Sequence, residues 1–137
     1  MNEEVIFPKT LYHQMLEHGF AKLPFEACGL LSGKGNLVQS VWQLKNELKS
    51  ANRFFVSKTL LQDTLEKIRK KEEHVLAIYH THPSTDPIPS NLDIHNHPDN
   101  RIDMVIISYK SSPPKTKWYN ILGQNYVERP FYIDLAC

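Results

Sequence analysis

The sequence predicts an α+β fold, with a mixed, mostly antiparallel sheet flanked by helices. Three observations point that way. Short apolar runs bounded by proline and glycine read as buried strands, and one strongly amphipathic stretch reads as a surface helix. The two kinds of segment do not alternate regularly, which argues against a doubly wound fold. A chain of 137 residues buries roughly two-thirds of the surface its unfolded form exposes, so residues 1–137 are expected to form one domain.

The elements follow in order. Leu11, Tyr12, Met15 and Leu16 fall at helical spacing after Pro8-Lys9-Thr10, which predicts a helix with Thr10 as N-cap and Gly19 as its stop. The run from Pro24 to Gly33 reads as a buried strand with Glu26 at its entrance. Lys34-Gly35-Asn36 then turns the chain into a second strand, Leu37 to Leu44. Ser57 opens the amphipathic helix, with Leu61, Leu65 and Ile68 on its inner face. Val75 to His82 is apolar on both faces, as an interior strand is, and Ile102 to Tyr109 is a second such strand. After the breaker Ser111-Ser112-Pro113-Pro114, Lys117–Leu122 and Tyr126–Ile133 read as a closing hairpin.

Composition narrows the function. A formal net charge of +1 and no basic run beyond Arg69-Lys70-Lys71 argue against a nucleic-acid partner. No apolar stretch is long enough to span a bilayer, and Met1-Asn2-Glu3-Glu4 has no basic leader, so no membrane partner is expected. Two cysteines, Cys28 and Cys137, make no disulfide framework, which fits a reduced, cytoplasmic protein.

Chemistry concentrates between Ala77 and Asp93. His80 and His82 end the interior strand one residue apart, and the period of two puts both imidazoles on one face. A loop broken by prolines follows, then Ser90 and Asp93, one helical turn apart. Two imidazoles and a carboxylate suit a divalent ion, zinc foremost, with a fourth position left for water. Ser90-x-x-Asp93 also reads as a capping box, and the two roles are compatible. A catalytic metal site needs a carboxylate that is not a ligand, and Glu26 is the candidate base. Its alternative is an ordinary exposed glutamate at an element boundary.

Glu26 in Pro24-Phe25-Glu26-Ala27-Cys28-Gly29-Leu30-Leu31-Ser32-Gly33, then His80-x-His82-Pro83 and Ser90-x-x-Asp93, resembles the signature of the JAMM (MPN+) zinc metalloproteases. The ten residues between His82 and Asp93 match the spacing of that family. The resemblance implies a single JAMM/MPN+ metallopeptidase domain, with His80, His82 and Asp93 as zinc ligands and Glu26 as general acid/base. It also makes Ser90 the hydroxyl that steadies the oxyanion. The compact length is similar to the small prokaryotic branch that includes the CysO-cysteine peptidases. That branch implies an amide cut at the C-terminal tail of a ubiquitin-like or sulfur-carrier protein, releasing an amino acid such as cysteine. Two rivals stand beside this reading: a non-catalytic MPN-type scaffold, and a hydrolase of small amides or cell-wall peptides.

The remaining candidates take bland roles. Cys28 reads as a small buried hydrophobe, His13, His18 and His74 as surface residues, and Cys137 as an idle thiol. His95 and His97 repeat the His-x-His spacing, but a helix would send them to different faces. Asp86 reads as a turn former before Pro87. Ile88 is larger than the small residue expected there and is expected to narrow the cleft.

Overall fold

The computed structural model describes residues 4–135; Cys137 therefore lies outside the described residues. Among these, the chain runs β1 (Val5–Pro8), α1 (Lys9–Lys22), β2 (Cys28–Lys34), β3 (Leu37–Leu44), α2 (Lys58–Lys70), β4 (His74–His82), α3 (Asn91–Asn96), β5 (Asp103–Ser108), β6 (Lys115–Leu122), β7 (Asn125–Glu128) and β8 (Phe131–Asp134). The strands form one eight-stranded sheet in the order β7-β6-β5-β4-β2-β3-β1-β8. The pairs β2–β3, β2–β4, β5–β6 and β6–β7 are antiparallel, whereas β4–β5, β1–β3 and β1–β8 are parallel. The expected mixed, mainly antiparallel α+β sheet is what forms.

The first and last strands of that order, β7 and β8, are separated in sequence by Arg129 and Pro130 alone. Three peptide steps span at most about 11 Å, so the sheet must curl until its two edges meet. The expected Tyr126–Ile133 strand is therefore two strands. β7 pairs with β6 as the hairpin requires, and β8 leaves it to pair with β1 at the opposite edge. Proline at position 130 has no amide hydrogen to continue the ladder, which favours the break.

Curling gives the sheet an inner and an outer face. α1 packs inside, where Met15 joins Val5, Phe7, Leu31, Tyr79, Val105 and Trp118 in the main core. α2 covers the outer face, where Ile68 packs with Cys28, Leu30 and Leu44. β4 lies between β2 and β5, so its alternating side chains enter both cores, as the doubly apolar run predicts.

Several local expectations are corrected. α1 begins at Lys9, with Pro8 rather than Thr10 at the cap, and continues past Gly19 to Lys22. Gly19 is a contact point: a Cβ there would sit 2.4 Å from the Tyr109 hydroxyl oxygen and 2.7 Å from Thr81 Cγ2. His18 is 6 % exposed rather than a surface residue, and its Nδ1 lies 2.7 Å from the Tyr79 hydroxyl. In α2, capped by Ser57 as expected, Thr64 takes the buried position and Leu65 faces solvent.

Candidate metal centre

β4 sets the site. His80 and His82 leave its outer face together, with ring centroids 5.2 Å apart, and both are buried. The chain then turns through Pro83–Pro89 and enters α3, whose cap presents Asp93. The capping box is complete: Ser90 Oγ accepts from the Asp93 amide at 3.0 Å, and the Ser90 amide donates to Asp93 Oδ2 at 3.0 Å. The cap fixes where the carboxylate points, and it points at the histidines. Asp93 Oδ2 lies 3.1 Å from His80 Nε2 and 3.1 Å from His82 Nε2. One ligand atom from each of the three residues falls within 4.8 Å of the other two.

The imidazoles are prepared differently. His82 Nδ1 lies 2.8 Å from the Asp86 carbonyl, which can only accept, so Nδ1 carries the hydrogen and Nε2 keeps a lone pair or a second proton. His80 stacks on Phe54 at 5.2 Å between centroids. Its Nε2 is within ion-pair distance of Asp93, yet it is fully buried and, among the described residues, without a hydrogen bond. Burial alone would lift the Asp93 carboxyl, but the two imidazoles outweigh it and hold the group well below the usual carboxylate range. Burial would lower His82, and the Asp93 carboxylate with the Asp86 carbonyl reverses this, raising it.

Glu26 completes the group. Its position is one that sequence distance hides: Cys28 pairs with His80 across β2 and β4, the Thr81 amide bonds the Ala27 carbonyl, and Glu26 lies just beyond this end of the ladder, at the His82 end of β4. It is 2 % exposed, so it is no ordinary boundary glutamate. Its Oε1 has no hydrogen-bond partner among the described residues. Burial first, then the negative charge of Asp93, pushes its carboxyl up to about 8, against a smaller opposing pull from His82. Such a group exchanges a proton near neutrality.

The backbone around Glu26 is tied down by residues that sequence reasoning missed. Its amide donates to the Ser50 carbonyl at 2.7 Å, and its carbonyl accepts from Asn46 Nδ2 at 2.9 Å. Asn46 Oδ1 also receives the amides of Leu48 and Phe55, folding segment 45–57 over the site. Beyond that segment opens a cavity of about 530 Å³, walled by Leu48, Phe54, Val56 and Leu92 and reaching His80 and Asp93.

The other candidates stand apart from this group or serve it indirectly. Cys28 is fully buried beside His80, its thiol pushed up to about 12 by burial and then by Glu26, as suits a small hydrophobe. Asp86 contributes its main-chain carbonyl, while its carboxylate pairs with Lys110 at 3.3 Å. His95 is exposed, and His97 Nε2 bonds the Ile102 carbonyl at 2.5 Å. Ile88 is 52 % exposed and does not line the cavity beside the metal centre, so the expected narrowing is not seen.

Residues 8–121 match the model for prokaryotic homologs of the JAB domain. The chain belongs to this family. It is 28 % identical to a Desulfitobacterium hafniense protein of known solution structure, with a TM-score of 0.86 over 96 % of this chain and 93 % of that one. It shares its fold with a structure described as "JAMM: a metalloprotease-like zinc site in the proteasome and signalosome", at 19 % identity and TM-score 0.58 over 95 % and 99 % of the chains. It is also 35 % identical over 69 residues to the desampylase of Pyrococcus furiosus. That match takes in 50 % of this chain and 49 % of the archaeal protein, so the chain aligns with about half the length of this curated relative. The JAMM/MPN family expected from the motif, and its small prokaryotic branch expected from the compact length, are thus found. Among the described residues, no helix is long and apolar enough to cross a membrane.

Proposed function

We propose that this prokaryotic JAB domain is a zinc-dependent peptidase that hydrolyses a peptide or isopeptide bond at the C-terminal tail of a ubiquitin-like or sulfur-carrier protein. One observation carries the reading: a buried carboxylate, with one oxygen unbonded among the described residues and able to hold a proton near neutral pH, lies close enough to feel the charges of Asp93 and His82, two of three converging residues that could hold a metal. Two imidazole nitrogens and one carboxylate oxygen are the donor set zinc takes when a position stays open for chemistry. The buried Nε2 of His80, without a hydrogen bond among the described residues, faces Asp93 Oδ2 at 3.1 Å.

His80, His82 and Asp93 would hold the ion. When bound, zinc supplies Lewis acidity, polarising a carbonyl and making water a nucleophile near neutral pH. The protein's residues do the rest. Glu26 takes the proton of the attacking water and delivers it to the leaving amine, and its raised pKa suits both directions. Ser90 accepts from the Asp93 amide, so its own hydroxyl hydrogen is free to donate where negative charge develops on the substrate oxygen. Phe54 and the folded segment above it shield His80 from bulk water.

The apolar cavity beside His80 and Asp93 has room for side chains of an extended tail. The similarity to a desampylase supports a ubiquitin-like substrate. Incubating zinc-loaded protein with carrier adducts and following the masses tests the proposal, with Glu26→Gln as control. Release of the adduct by wild type and not by the control is expected. Equal cleavage by both would remove Glu26 from the mechanism, and protein that takes up no stoichiometric zinc and cleaves no adduct would favour a scaffold.

A further inference from the structure

We propose that Thr81, the residue between the two histidines, is a positioning residue that sets where Glu26 stands. The inference deepens the function proposed above and rests on it for the consequence, though not for the geometry. The register that pairs Cys28 with His80 next brings Ala27 opposite Thr81. In a regular antiparallel ladder such a pair exchanges two main-chain bonds. One is made: the Thr81 amide donates to the Ala27 carbonyl at 3.0 Å. The other is diverted, because the Ala27 amide donates to the Thr81 hydroxyl oxygen at 2.8 Å instead of to the Thr81 carbonyl.

A side-chain oxygen thus takes the place of a main-chain one, and the ladder ends there, with β2 beginning at Cys28. Thr81 is fully buried. Its methyl group lies against Gly19 of α1, where a Cβ would come within 2.7 Å of Cγ2, so the helix holds the side chain in this rotamer. Outside the ladder, Glu26 is carried by Ser50 and Asn46, with Oε1 unbonded among the described residues and the carboxylate close enough to Asp93 and His82 to feel their charges. Without the hydroxyl, the Ala27 amide is free to fall back onto the Thr81 carbonyl, drawing Glu26 towards His82. A misplacement of about 1 Å costs on the order of 100-fold in rate when the group transfers a proton.

Three variants test this. Thr81→Val keeps the shape and methyl contact but removes the acceptor, Thr81→Ser keeps the acceptor, and Thr81→Ala serves if the valine variant does not fold. In the valine variant kcat should fall about 10- to 100-fold, with KM and zinc stoichiometry unchanged, and the serine variant should recover most of it. Unchanged kcat in the valine variant, or equal loss in valine and serine, would overturn the assignment. The metal-free proteins give a second readout: the Ala27 amide resonance and, in crystals, the Glu26 carboxylate should move in Thr81→Val and return in Thr81→Ser. A carboxylate that does not move overturns the proposal. If wild type turns over no carrier adduct, the function fails separately, and this second readout still decides the role of Thr81.

Discussion

Glu26 and Asp103 are both buried carboxylates, 2 % and 4 % exposed, the first just before β2 and the second at the start of β5. Asp103 is saturated. Its Oδ2 accepts from Trp118 Nε1 and Arg129 Nη1, each at 2.7 Å, and its Oδ1 accepts from Asn120 Nδ2 at 3.0 Å. Arg129 lies in the two-residue passage from β7 to β8, so this network ties the curled sheet shut. Glu26 has the opposite surroundings: an oxygen without a partner among the described residues and a second carboxylate close enough to raise its pKa. A buried charge that stabilises a fold is given its donors. A buried acid left short of them costs stability and is kept for chemistry.

The contrast is broken most strongly by removing the acid at the site. Glu26→Gln should lower the hydrolytic rate about 10³-fold while zinc remains bound at wild-type stoichiometry, measured by turnover of a carrier adduct beside elemental analysis. Next comes Asp103→Ala, which leaves Arg129 and Trp118 facing a hole. Urea unfolding should show a loss of about 3 kcal/mol, with zinc binding by the folded fraction unaffected.

The two substitutions should then differ in the sign of their effect on stability. In the metal-free protein the Glu26 pKa is raised from 4.5 to about 8. Between these values the folded state binds more protons than the unfolded state, so stability falls as pH rises. The favourable term is complete below pH 4.5 and is lost as pH passes through 8. Glu26→Gln removes this slope and should make metal-free protein more stable at pH 8, by on the order of 2 kcal/mol, with little change near pH 4. A variant less stable than wild type at pH 8 would contradict the account.

Much of this was legible in the sequence because it is local. Period two along β4 puts His80 and His82 on one face, and the three-position step from Ser90 to Asp93 gives a cap that aims the carboxylate. Helix α2 announces itself by its periodicity, with one position misassigned because Leu65 lies past the edge of the covered face. What was not legible depends on distant partners. The four-residue β1 has nothing in its own pattern to show that it pairs with β8 from the other end of the chain. Gly19 reads as a helix stop until Tyr109 and Thr81 arrive against it, and His18 reads as exposed until Tyr79 reaches it. Glu26 was identified by resemblance. Its main chain is held by Ser50 and Asn46 and that of its neighbour Ala27 by Thr81, none of them near it in sequence, and Asp86 acts through a carbonyl that every residue possesses.

The proposed function turns on which atoms would hold the ion, and X-ray absorption at the zinc edge reads them directly. Protein loaded with one equivalent of zinc, in wild type and in a His95→Ala/His97→Ala variant, should show the same nitrogen and oxygen shell, with two imidazoles at about 2.0–2.1 Å. His82→Ala should lose it. A shell that changes in the His95/His97 variant, that contains the sulfur of Cys28, or that survives His82→Ala would contradict the account.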